Sequence, residues 1–373
     1  MRICYLADYR SIHTMRWIRY FSEEHHDVHL ISLNFSETEK RPFVPSDYEK
    51  IGIKVHLLDR TGFGKYMAPS RARRLIAHIE PDLIHCHYVS HFGFLGAKSG
   101  FHPLVITAWG TDILIEPQQS FMKSFQVKYA LKRADLATCD GENTASKLVE
   151  LGVPKDRVQR IYFGVDTQRA SPDRRDRKVF QKYLRDDNTK VVINIRGFSP
   201  VYDPDTFINA VPDVLKAHPN TVFIMARESE ERKKYEEMVR KMGIQDAVAF
   251  IGNIPSNDIP SYLASSDIYV STSTSDSGIA ASTAEAMACG VPVISTDVAD
   301  IRIWVLDGKN GYVIPKGDGH ALSSKINALL SDPAAWRLMG QEARRTIVER
   351  QDYRTEMAKM GSIYMRLVEE GTK

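Results

Sequence analysis

Cysteine and long apolar runs are both scarce in this chain of 373 residues. Its four cysteines stand far apart and form no C-x-x-C pair, so we expect neither a disulfide framework nor a zinc site. No uninterrupted apolar run reaches about 18 residues, the length that indicates a transmembrane helix. The apolar run 3–7 ends at Asp8 and is too short for the apolar region of a signal peptide. These absences predict a cytoplasmic protein.

An excess of charge of one sign is also missing, because 50 Lys and Arg residues face 47 Asp and Glu residues. A net charge of +3 is too small to indicate a nucleic-acid-binding protein. An apolar fraction of 43% and a charged fraction of 26% are ordinary for globular proteins and exclude a disordered or fibrous chain. At roughly 150 residues per domain, the length predicts two or three domains.

Short, continuous apolar runs alternate with helical patterns along the chain, as in parallel strands that helices cover on both faces. Strands are predicted in the first half near 3–7, 28–32, 53–58, 83–88, 104–109, 136–140 and 158–163. Strands are predicted in the second half near 191–195, 221–226, 247–251, 268–271, 292–296 and 311–314. The pattern predicts an α/β fold of two Rossmann-like, doubly wound domains, with a ligand site in the cleft between them.

A polar and highly charged stretch around Pro172 interrupts this alternation. It predicts an N-terminal domain over 1–170, a linker over 171–189 and a C-terminal domain over 190–353. The chain ends in helical patterns, and we expect the last helix, 354–370, to pack back on the N-terminal domain.

The most informative segment is 267–297, where a buried strand leads into a turn of Ser, Thr, Asp and Gly and then into a helix. The free N–H groups at such a helix start can bind phosphate. Glu285 lies about one and a half turns inside the helix, where its carboxylate can accept hydrogen bonds from a sugar diol. An ordinary strand-turn-helix unit explains the same spacing equally well.

The sequence EAMACGVPVIST, which begins at Glu285, resembles the C-terminal signature of the family 4 glycosyltransferases, retaining enzymes of the GT-B fold. The flanking stretches 249–273 and 305–322 are similar to the family's segments on either side of this signature. Three N-terminal segments occupy the expected places, namely PDLIHCHY (81–88), VITAWGTD (105–112) and YFGVDTQRASP (162–172). The resemblance covers nearly the whole chain and implies a GT-B architecture, with an acceptor-binding N-terminal domain and a donor-binding C-terminal domain.

The resemblance implies that the donor is a nucleotide-diphosphate sugar. Glu285 matches the glutamate that holds the ribose hydroxyls. The family usually has another acidic residue eight positions earlier, where this chain has Ser277, and we expect Asp276 to contact the donor sugar instead. Plain turn chemistry is the alternative for Asp276. The other residues expected at the donor from this region are Gly278, Ile279, Ala280, Ser282, Thr283, Asn253 and Ile254.

A second donor-side segment, 191–205, opens the C-terminal domain. The resemblance implies that Arg196 neutralises the diphosphate leaving group, whose oxygens a planar guanidinium can bind in pairs. Tyr202 stands near the place of a family lysine and can donate a hydrogen bond but no charge. We expect Arg227, after the next predicted strand, to supply the missing cation, and a solvated loop arginine is the alternative.

The N-terminal domain departs further from the family pattern. A Gly-Gly turn is missing after the first strand, and Arg10 and His13 stand there as candidate contacts to the acceptor or phosphate. Trp109 takes the place of a frequent histidine beside the donor sugar, where it can stack on a sugar face but cannot shuttle protons. Asp112 keeps the family's acidic position and is expected at the acceptor.

His85 and His87 point to the same side of a predicted strand, a spacing that can ligate a metal. No nearby carboxylates or cysteines complete such a site, and the family requires no metal. Structural histidines are the preferred interpretation, with His87 a candidate for the acceptor pocket. We expect no cofactor. The nucleotide sugar, of UDP or GDP type, is expected to be a substrate.

Basic residues accompany aromatic ones in the stretches 64–79 and 121–133. Phe121, Phe125 and Tyr129 share one helical face in the second stretch. Such a face can dock peripherally on an anionic membrane, which a lipid-linked acceptor would explain. A core-facing stripe with a solvated rim is the simpler interpretation.

These patterns predict a retaining, metal-independent glycosyltransferase that moves a sugar to a hydroxyl of a glycan, a lipid-linked or a small-molecule acceptor. Its catalytic residues would be Arg196, Asp276 and Trp109. A non-catalytic, glycosyltransferase-like subunit is the first alternative, because the sequence departs from the family at Tyr202 and Ser277. A nucleotide-sugar epimerase or a phosphorylase of the same fold is the second. An epimerase needs acid and base groups around the sugar, and the tryptophan at position 109 argues against it.

Overall fold

The computed structural model describes residues 1–35, 43–59, 64–276 and 278–371. The chain divides into two compact units, of which the first comprises Met1–Phe163 and the residues from Arg354 onward, and the second comprises Gly164–Tyr353. Each unit contains one parallel sheet flanked by helices. The predicted α/β fold with two Rossmann-like domains is therefore confirmed.

The first unit has, among its described residues, a seven-stranded sheet in the order β3-β2-β1-β4-β5-β6-β7. The strands are β1 (Arg2–Leu6), β2 (Asp27–Leu33), β3 (Lys54–Leu58), β4 (Leu83–His87), β5 (Leu104–Thr107), β6 (Leu136–Cys139) and β7 (Val158–Arg160). Its first eight helices are α1 (Ile12–Glu23), α2 (Pro45–Glu49), α3 (Gly64–Ile79), α4 (Phe94–Ser99), α5 (Thr111–Leu114), α6 (Glu116–Gln119), α7 (Phe121–Arg133) and α8 (Glu142–Glu150). The first three side chains of α3 lie outside the described residues.

The second unit has, in the part of the chain that is described, a six-stranded sheet in the order β10-β9-β8-β11-β12-β13. Its strands are β8 (Lys190–Asn194), β9 (Thr221–Met225), β10 (Val248–Phe250), β11 (Ile268–Ser271), β12 (Val293–Thr296) and β13 (Gly311–Ile314). Its helices are α9 (Pro204–Ala217), α10 (Arg232–Lys241), α11 (Ile259–Ser265), α12 (Ala281–Ala288), α13 (Ile301–Trp304), α14 (Gly319–Ser331) and α15 (Pro333–Arg350).

The last helix, α16 (Tyr353–Gly371), returns to the first unit. Its Tyr364 is fully buried and hydrogen-bonds the hydroxyl of Tyr5 on β1 at 3.0 Å and the Nδ1 atom of His85 on β4. Helix α16 therefore completes the core of the first unit.

The stretch 171–189, which the sequence predicts to be a linker, lies inside the second unit. Phe180 is fully buried and packs edge-on against Tyr262 of α11, with ring centroids 5.3 Å apart. The backbone N–H of Asp176 donates to Ser265 Oγ at 2.8 Å. These contacts fix the stretch to α11, so the division falls after Phe163 rather than after residue 170.

Each sheet brings the loops that follow neighbouring strands to one edge. In the first unit, β1, β4 and β5 are adjacent and parallel, so their three following loops meet. In the second unit the same holds for β9, β8 and β11. Carboxyl edges of parallel sheets are where ligands bind in α/β folds. Throughout the described ranges, no helix has both the length and the apolar character to cross a membrane.

Candidate functional site

The carboxyl edge of the second sheet opens onto a cavity of about 570 Å³. Arg196 and Tyr202 line it from the loop after β8, Arg227 from the loop after β9, and Ser282 from the first turn of α12. The structure thus brings together four residues that the sequence assigns to the donor.

Arg196 is held in place by three neighbours. Its Nη2 atom donates to Asp276 Oδ1 at 2.6 Å, and its Nε donates to Ser273 Oγ at 3.1 Å. The guanidinium carbon lies 4.7 Å from the centre of the Tyr202 ring. These bonds use two of the five N–H donors of the guanidinium, so the remaining donors are available to anionic oxygens.

Asp276 shares this polar cluster and is only 18% exposed at its side chain. Burial raises the pKa of Asp276, and the adjacent guanidinium of Arg196 opposes that rise. The pair therefore provides a fixed cation and a carboxylate side by side. Ser277 lies outside the described residues.

Arg227 has an unusual backbone conformation, with a φ of 104° that residues other than glycine rarely adopt. Its N–H donates to the carbonyl oxygen of Gly252 at 2.6 Å, and its Nε donates to that of Ile195 at 3.3 Å. Arg227 packs beside Gly197, where an added Cβ atom would lie at an ordinary contact distance of 3.4 Å from Arg227 Cγ. Such strain is found preferentially at functional sites.

Helix α12 begins beside the same cavity. Its N-cap residue is Ala280, whose side chain cannot accept the first N–H groups of the helix. Gly278, Ile279 and Ala280 are buried, while Ser282 Oγ hydrogen-bonds the Tyr269 hydroxyl at 2.7 Å. The helix start therefore offers N–H groups to an anion next to the two arginines.

The other residues predicted at the donor lie nearby. Thr283 is buried in α12, and Glu285, two residues further along the helix, is half-buried. Asn253 is exposed in the loop after β10, where its Oδ1 accepts the N–H of Glu228 at 3.1 Å. Ile254 follows it and is half-buried.

Trp109 lies in the loop after β5 of the first unit and is half-buried. Its ring stacks on His13 with a centroid distance of 4.8 Å and an interplanar angle of 30°. It also meets the edges of Trp17 and His87, with centroids 6.3 Å and 5.6 Å away. The structure therefore brings together three of the residues that the sequence singles out in this half.

Asp112 supports this loop. It is fully buried, and its two oxygens accept the N–H groups of Trp109 at 3.0 Å and Val89 at 2.8 Å. Burial raises the pKa of Asp112 to about 6, although these N–H groups lower it. The structure thus gives Asp112 a supporting role in place of the acceptor contact that the sequence predicts.

Arg10 is also engaged within its own loop. Its Nε and Nη2 atoms donate to Asp8 at 3.0 Å and 2.9 Å, and its guanidinium lies 3.3 Å from the centre of the Phe35 ring. A contact between Arg10 and an acceptor would first require these interactions to break, because they leave its side chain only 12% exposed.

The rings of His13, Trp17 and His87 carry buried nitrogens without a hydrogen-bond partner among the described residues. They are His13 Nδ1, Trp17 Nε1 and both nitrogens of His87. Burial lowers the pKa of His87 to about 3 and that of His13 to about 4, so both rings are neutral at pH 7. Buried polar atoms are nearly always paired in proteins. This group of rings is therefore a candidate polar site.

His85 differs from His87 although both lie on β4. Its Nε2 atom hydrogen-bonds Thr107 Oγ1 at 2.6 Å, and its Nδ1 bonds the Tyr364 hydroxyl. His85 is therefore a structural histidine. In the ranges that the structure describes, no group of three or more His, Cys, Asp or Glu side chains is placed to hold a metal ion.

Sequence reasoning missed Ser273 and Trp17. Trp17 stands four residues after His13 on α1, and this spacing puts the two side chains on one helical face. Ser273 follows β11, which lies beside β8 in the sheet. Its contact with Arg196 depends on the strand order, which no local motif encodes.

Comparisons with known proteins identify the family that this sequence matches. A family model described as "Glycosyl transferases group 1" matches residues 175–346, and one described as "Glycosyl transferase 4-like" matches residues 2–141. The chain is 24% identical to a GDP-mannose-dependent alpha-(1-6)-phosphatidylinositol monomannoside mannosyltransferase of Mycolicibacterium smegmatis, over 79% of either chain. It is 25% identical to the putative glycosyltransferase EpsD of Bacillus subtilis, over 97% of this chain and 96% of that protein.

Solved structures show the same fold. Anabaena HepE in complex with UDP has a TM-score of 0.83 at 20% identity, over 98% of this chain and 100% of that one. A sucrose-phosphate synthase of Thermosynechococcus elongatus has a TM-score of 0.75 at 18% identity, over 98% and 99%. The GT-B fold that the sequence resemblance implies is therefore confirmed.

Proposed function

The chain belongs to the glycosyl transferases group 1 family, and we propose that it transfers a sugar from a nucleotide diphosphate to a hydroxyl group with retention of anomeric configuration. The observation that carries this proposal is the cavity of the second unit, where Arg196, Arg227 and the start of α12 converge. Two guanidinium groups and the free N–H groups of a helix start together suit a diphosphate.

The proposed reaction breaks the bond between the anomeric carbon and the diphosphate oxygen. Charge develops on that oxygen, and fixed donors that already point at it lower the barrier. Arg196 and Arg227 supply this positive charge without a metal ion. The acceptor oxygen bonds to the same face of the anomeric carbon, and its proton passes to the departing phosphate.

The remaining donor contacts follow from α12. Glu285 would accept hydrogen bonds from the ribose hydroxyls, and Asp276 would hold a hydroxyl of the donor sugar through the oxygen that Arg196 does not bind. A UDP-sugar or a GDP-sugar donor fits this proposal equally. The mycobacterial relative is named for GDP-mannose, and HepE has been solved with UDP-glucose.

The first unit would bind the acceptor, which is a glycan, a lipid-linked sugar or a small molecule. Trp109 would present its ring to a sugar, because aromatic faces stack on apolar sugar faces. The ring nitrogens of His13, Trp17 and His87 that have no partner among the described residues would lie behind it. We place the enzyme in the cytoplasm, with peripheral contact at the inner face of the membrane.

A thermal-shift panel of UDP, GDP, ADP and their common sugar conjugates tests the proposal. A ligand that binds only the folded protein raises its melting temperature. We expect one nucleotide to do so, and we expect Arg196→Ala and Glu285→Ala to abolish the shift. Arg302→Ala is the matched control, because Arg302 is an exposed arginine of the same unit that pairs with Asp297. No shift with any nucleotide, from well-folded protein, would favour the non-catalytic subunit.

A further inference from the structure

The first turns of helix α7 and the short segment that leads into it carry four large apolar side chains that face solvent. Ile115 is 51% exposed, Phe121 88%, Met122 62% and Phe125 47%. We call these four residues the α7 patch. Exposed apolar side chains are common singly, but three within five residues of one helix, here Phe121, Met122 and Phe125, make this a candidate contact surface.

The α7 patch is rigidly supported. Ser120 caps the helix by accepting the N–H of Lys123 at 3.2 Å. The opposite face of α7 is buried through Val127, Ala130 and Leu131. The helix therefore cannot turn its exposed rings inward without losing its own core contacts.

The prediction of a core-facing aromatic stripe on α7 holds only for part of that helix. Tyr129 packs against Phe94 with centroids 5.4 Å apart, and Phe125 lies 5.9 Å from Tyr129. Phe121, on the same face, stays almost wholly in solvent. The aromatic stripe is therefore exposed to solvent at the N-terminal end of α7, where it can contact a membrane or another surface.

The surroundings of the patch are basic. The stretch 117–134 contains Lys123, Lys128, Lys132 and Arg133 and no Asp or Glu. Lys128, Lys132 and Arg133 are exposed, while Lys123 is paired with Glu116 at 2.9 Å. Lys98 adds a further exposed cation, and its Nζ lies 4.5 Å from the centre of the Tyr129 ring. An apolar tip with a basic rim is complementary to an anionic bilayer surface.

The patch is also coupled to the edge where we place the acceptor. Glu116 accepts hydrogen bonds from Tyr88 at 3.1 Å and from Ser90, both in the turn that follows β4. Tyr88 has a φ of 80°, and the next five residues form a π-helical turn. The carboxylate of Glu116 thus joins α7 to the loop that begins after His87.

We propose that the α7 patch docks the protein on an anionic lipid bilayer, with Phe121 and Met122 inserted among the headgroups and Lys128 and Lys132 on the lipid phosphates. The proposal rests on the proposed function, since a membrane-borne hydroxyl acceptor would then be presented to the first unit. Self-association fits less well, because a two-fold contact would set this basic rim against itself. Four apolar side chains are also few for a protein interface, which uses about 20–30 residues a side.

Sedimentation of the full-length protein with vesicles tests the proposal. Vesicles of phosphatidylcholine with about 30% phosphatidylglycerol should bind the protein, and pure phosphatidylcholine should bind it at least about tenfold more weakly. The double variant Phe121→Ser, Met122→Ser should lose about tenfold or more of the affinity for anionic vesicles. Lys128→Ser with Lys132→Ser should weaken binding by a similar factor and reduce its dependence on salt.

Leu338→Ser is the matched control, because Leu338 is a 63% exposed leucine on α15 of the second unit. It should leave vesicle binding unchanged. The proposal is overturned if neither kind of vesicle binds the wild type, or if binding ignores anionic lipid. It is also overturned if light scattering shows a dimer that the patch variant converts to a monomer.

The nucleotide thermal shift separates this proposal from the proposed function. The patch variant should keep the shift of the wild type, because the donor cavity lies in the other unit. Vesicle binding without any nucleotide shift would remove the enzymatic proposal and leave the docking surface. A nucleotide shift without vesicle binding would do the reverse.

Discussion

At the scale of single residues, Arg196 combines two demands that only a guanidinium meets. It bonds Asp276 and Ser273 with two N–H groups while it keeps others for a ligand. A lysine has one ammonium at the end of a flexible chain, and it cannot hold a carboxylate, a hydroxyl and a phosphate in a planar array. The arrangement therefore depends on geometry as well as on charge.

Arg196→Lys should consequently lower kcat/KM by about 10²–10³ once the donor is known, since it removes a fixed donor at the developing charge. Arg227→Lys should cost less, because Arg227 is held by a single side-chain bond to a carbonyl oxygen. Steady-state kinetics with nucleotide affinities would separate binding from turnover. Equal losses in both variants would contradict the central place given to Arg196.

His87 and His85 form a natural pair for a second prediction. His87→Phe removes two buried nitrogens that have no partner among the described residues, so it should raise the free energy of unfolding by about 1 kcal/mol. His85→Phe removes two bonded nitrogens and takes one hydrogen-bond partner from each of Thr107 and Tyr364, so it should lower that free energy by about 2 kcal/mol. Urea unfolding measures both values. A loss of stability in His87→Phe would show that ordered water or another group pairs its ring.

At the scale of elements, the strands could be predicted because each is a continuous apolar run. The prediction over 104–109 extended too far, since β5 ends at Thr107. The next residues leave the sheet because the N–H of Trp109 bonds the carboxylate of Asp112. A strand end set by a side-chain acceptor three residues later is not visible in hydrophobic patterning.

The donor site was predictable to the extent that it is local. The turn before α12 and Glu285 lie in one continuous segment, 267–297, so the sequence alone could single them out. The strained backbone of Arg227 and its fit beside Gly197 depend on the pairing of β8 with β9. Sequence patterns predict that both strands exist but not their contacts at the carboxyl edge.

Gly197 carries a third prediction, at the level of this loop. It has a φ of 105°, which an alanine rarely adopts, and it follows Arg196 directly. Gly197→Ala should therefore cost about 1–3 kcal/mol through backbone strain and weaken nucleotide binding by moving the loop that carries Arg196. Gly243 has a φ of 68° and open space around a Cβ, so Gly243→Ala should cost only the backbone strain of about 1 kcal/mol. Urea unfolding and nucleotide titration compare the two. Unchanged nucleotide affinity in Gly197→Ala would mean that the exact position of the loop after β8 does not matter to the donor.

At the scale of the whole molecule, the chain's two ends share one unit. Residues from Arg354 onward belong with Met1–Phe163, although the entire second unit separates them in sequence. The helical pattern at the end of the chain predicts a helix there, and we expect it on the N-terminal domain, but periodicity does not identify which strands of that domain it covers. The buried hydroxyls of Tyr364 and Tyr5 supply that information, because each satisfies the other inside an apolar core.

Tyr364→Phe should therefore loosen the first unit selectively. The change removes the buried hydroxyl that bonds both His85 and Tyr5, and the loss of these two hydrogen bonds should cost about 2 kcal/mol. Met365→Ser, at a 51% exposed position of the same helix, should stay within about 0.5 kcal/mol of the wild type.

Two tryptophans, Trp17 and Trp109, lie in the first unit, and Trp304 and Trp336 lie in the second. Replacing either pair by phenylalanine lets fluorescence follow one unit at a time during urea unfolding. In Tyr364→Phe, the urea midpoint reported by Trp17 and Trp109 should fall more than the midpoint reported by Trp304 and Trp336. An equal fall in both midpoints would mean that the two units unfold as one.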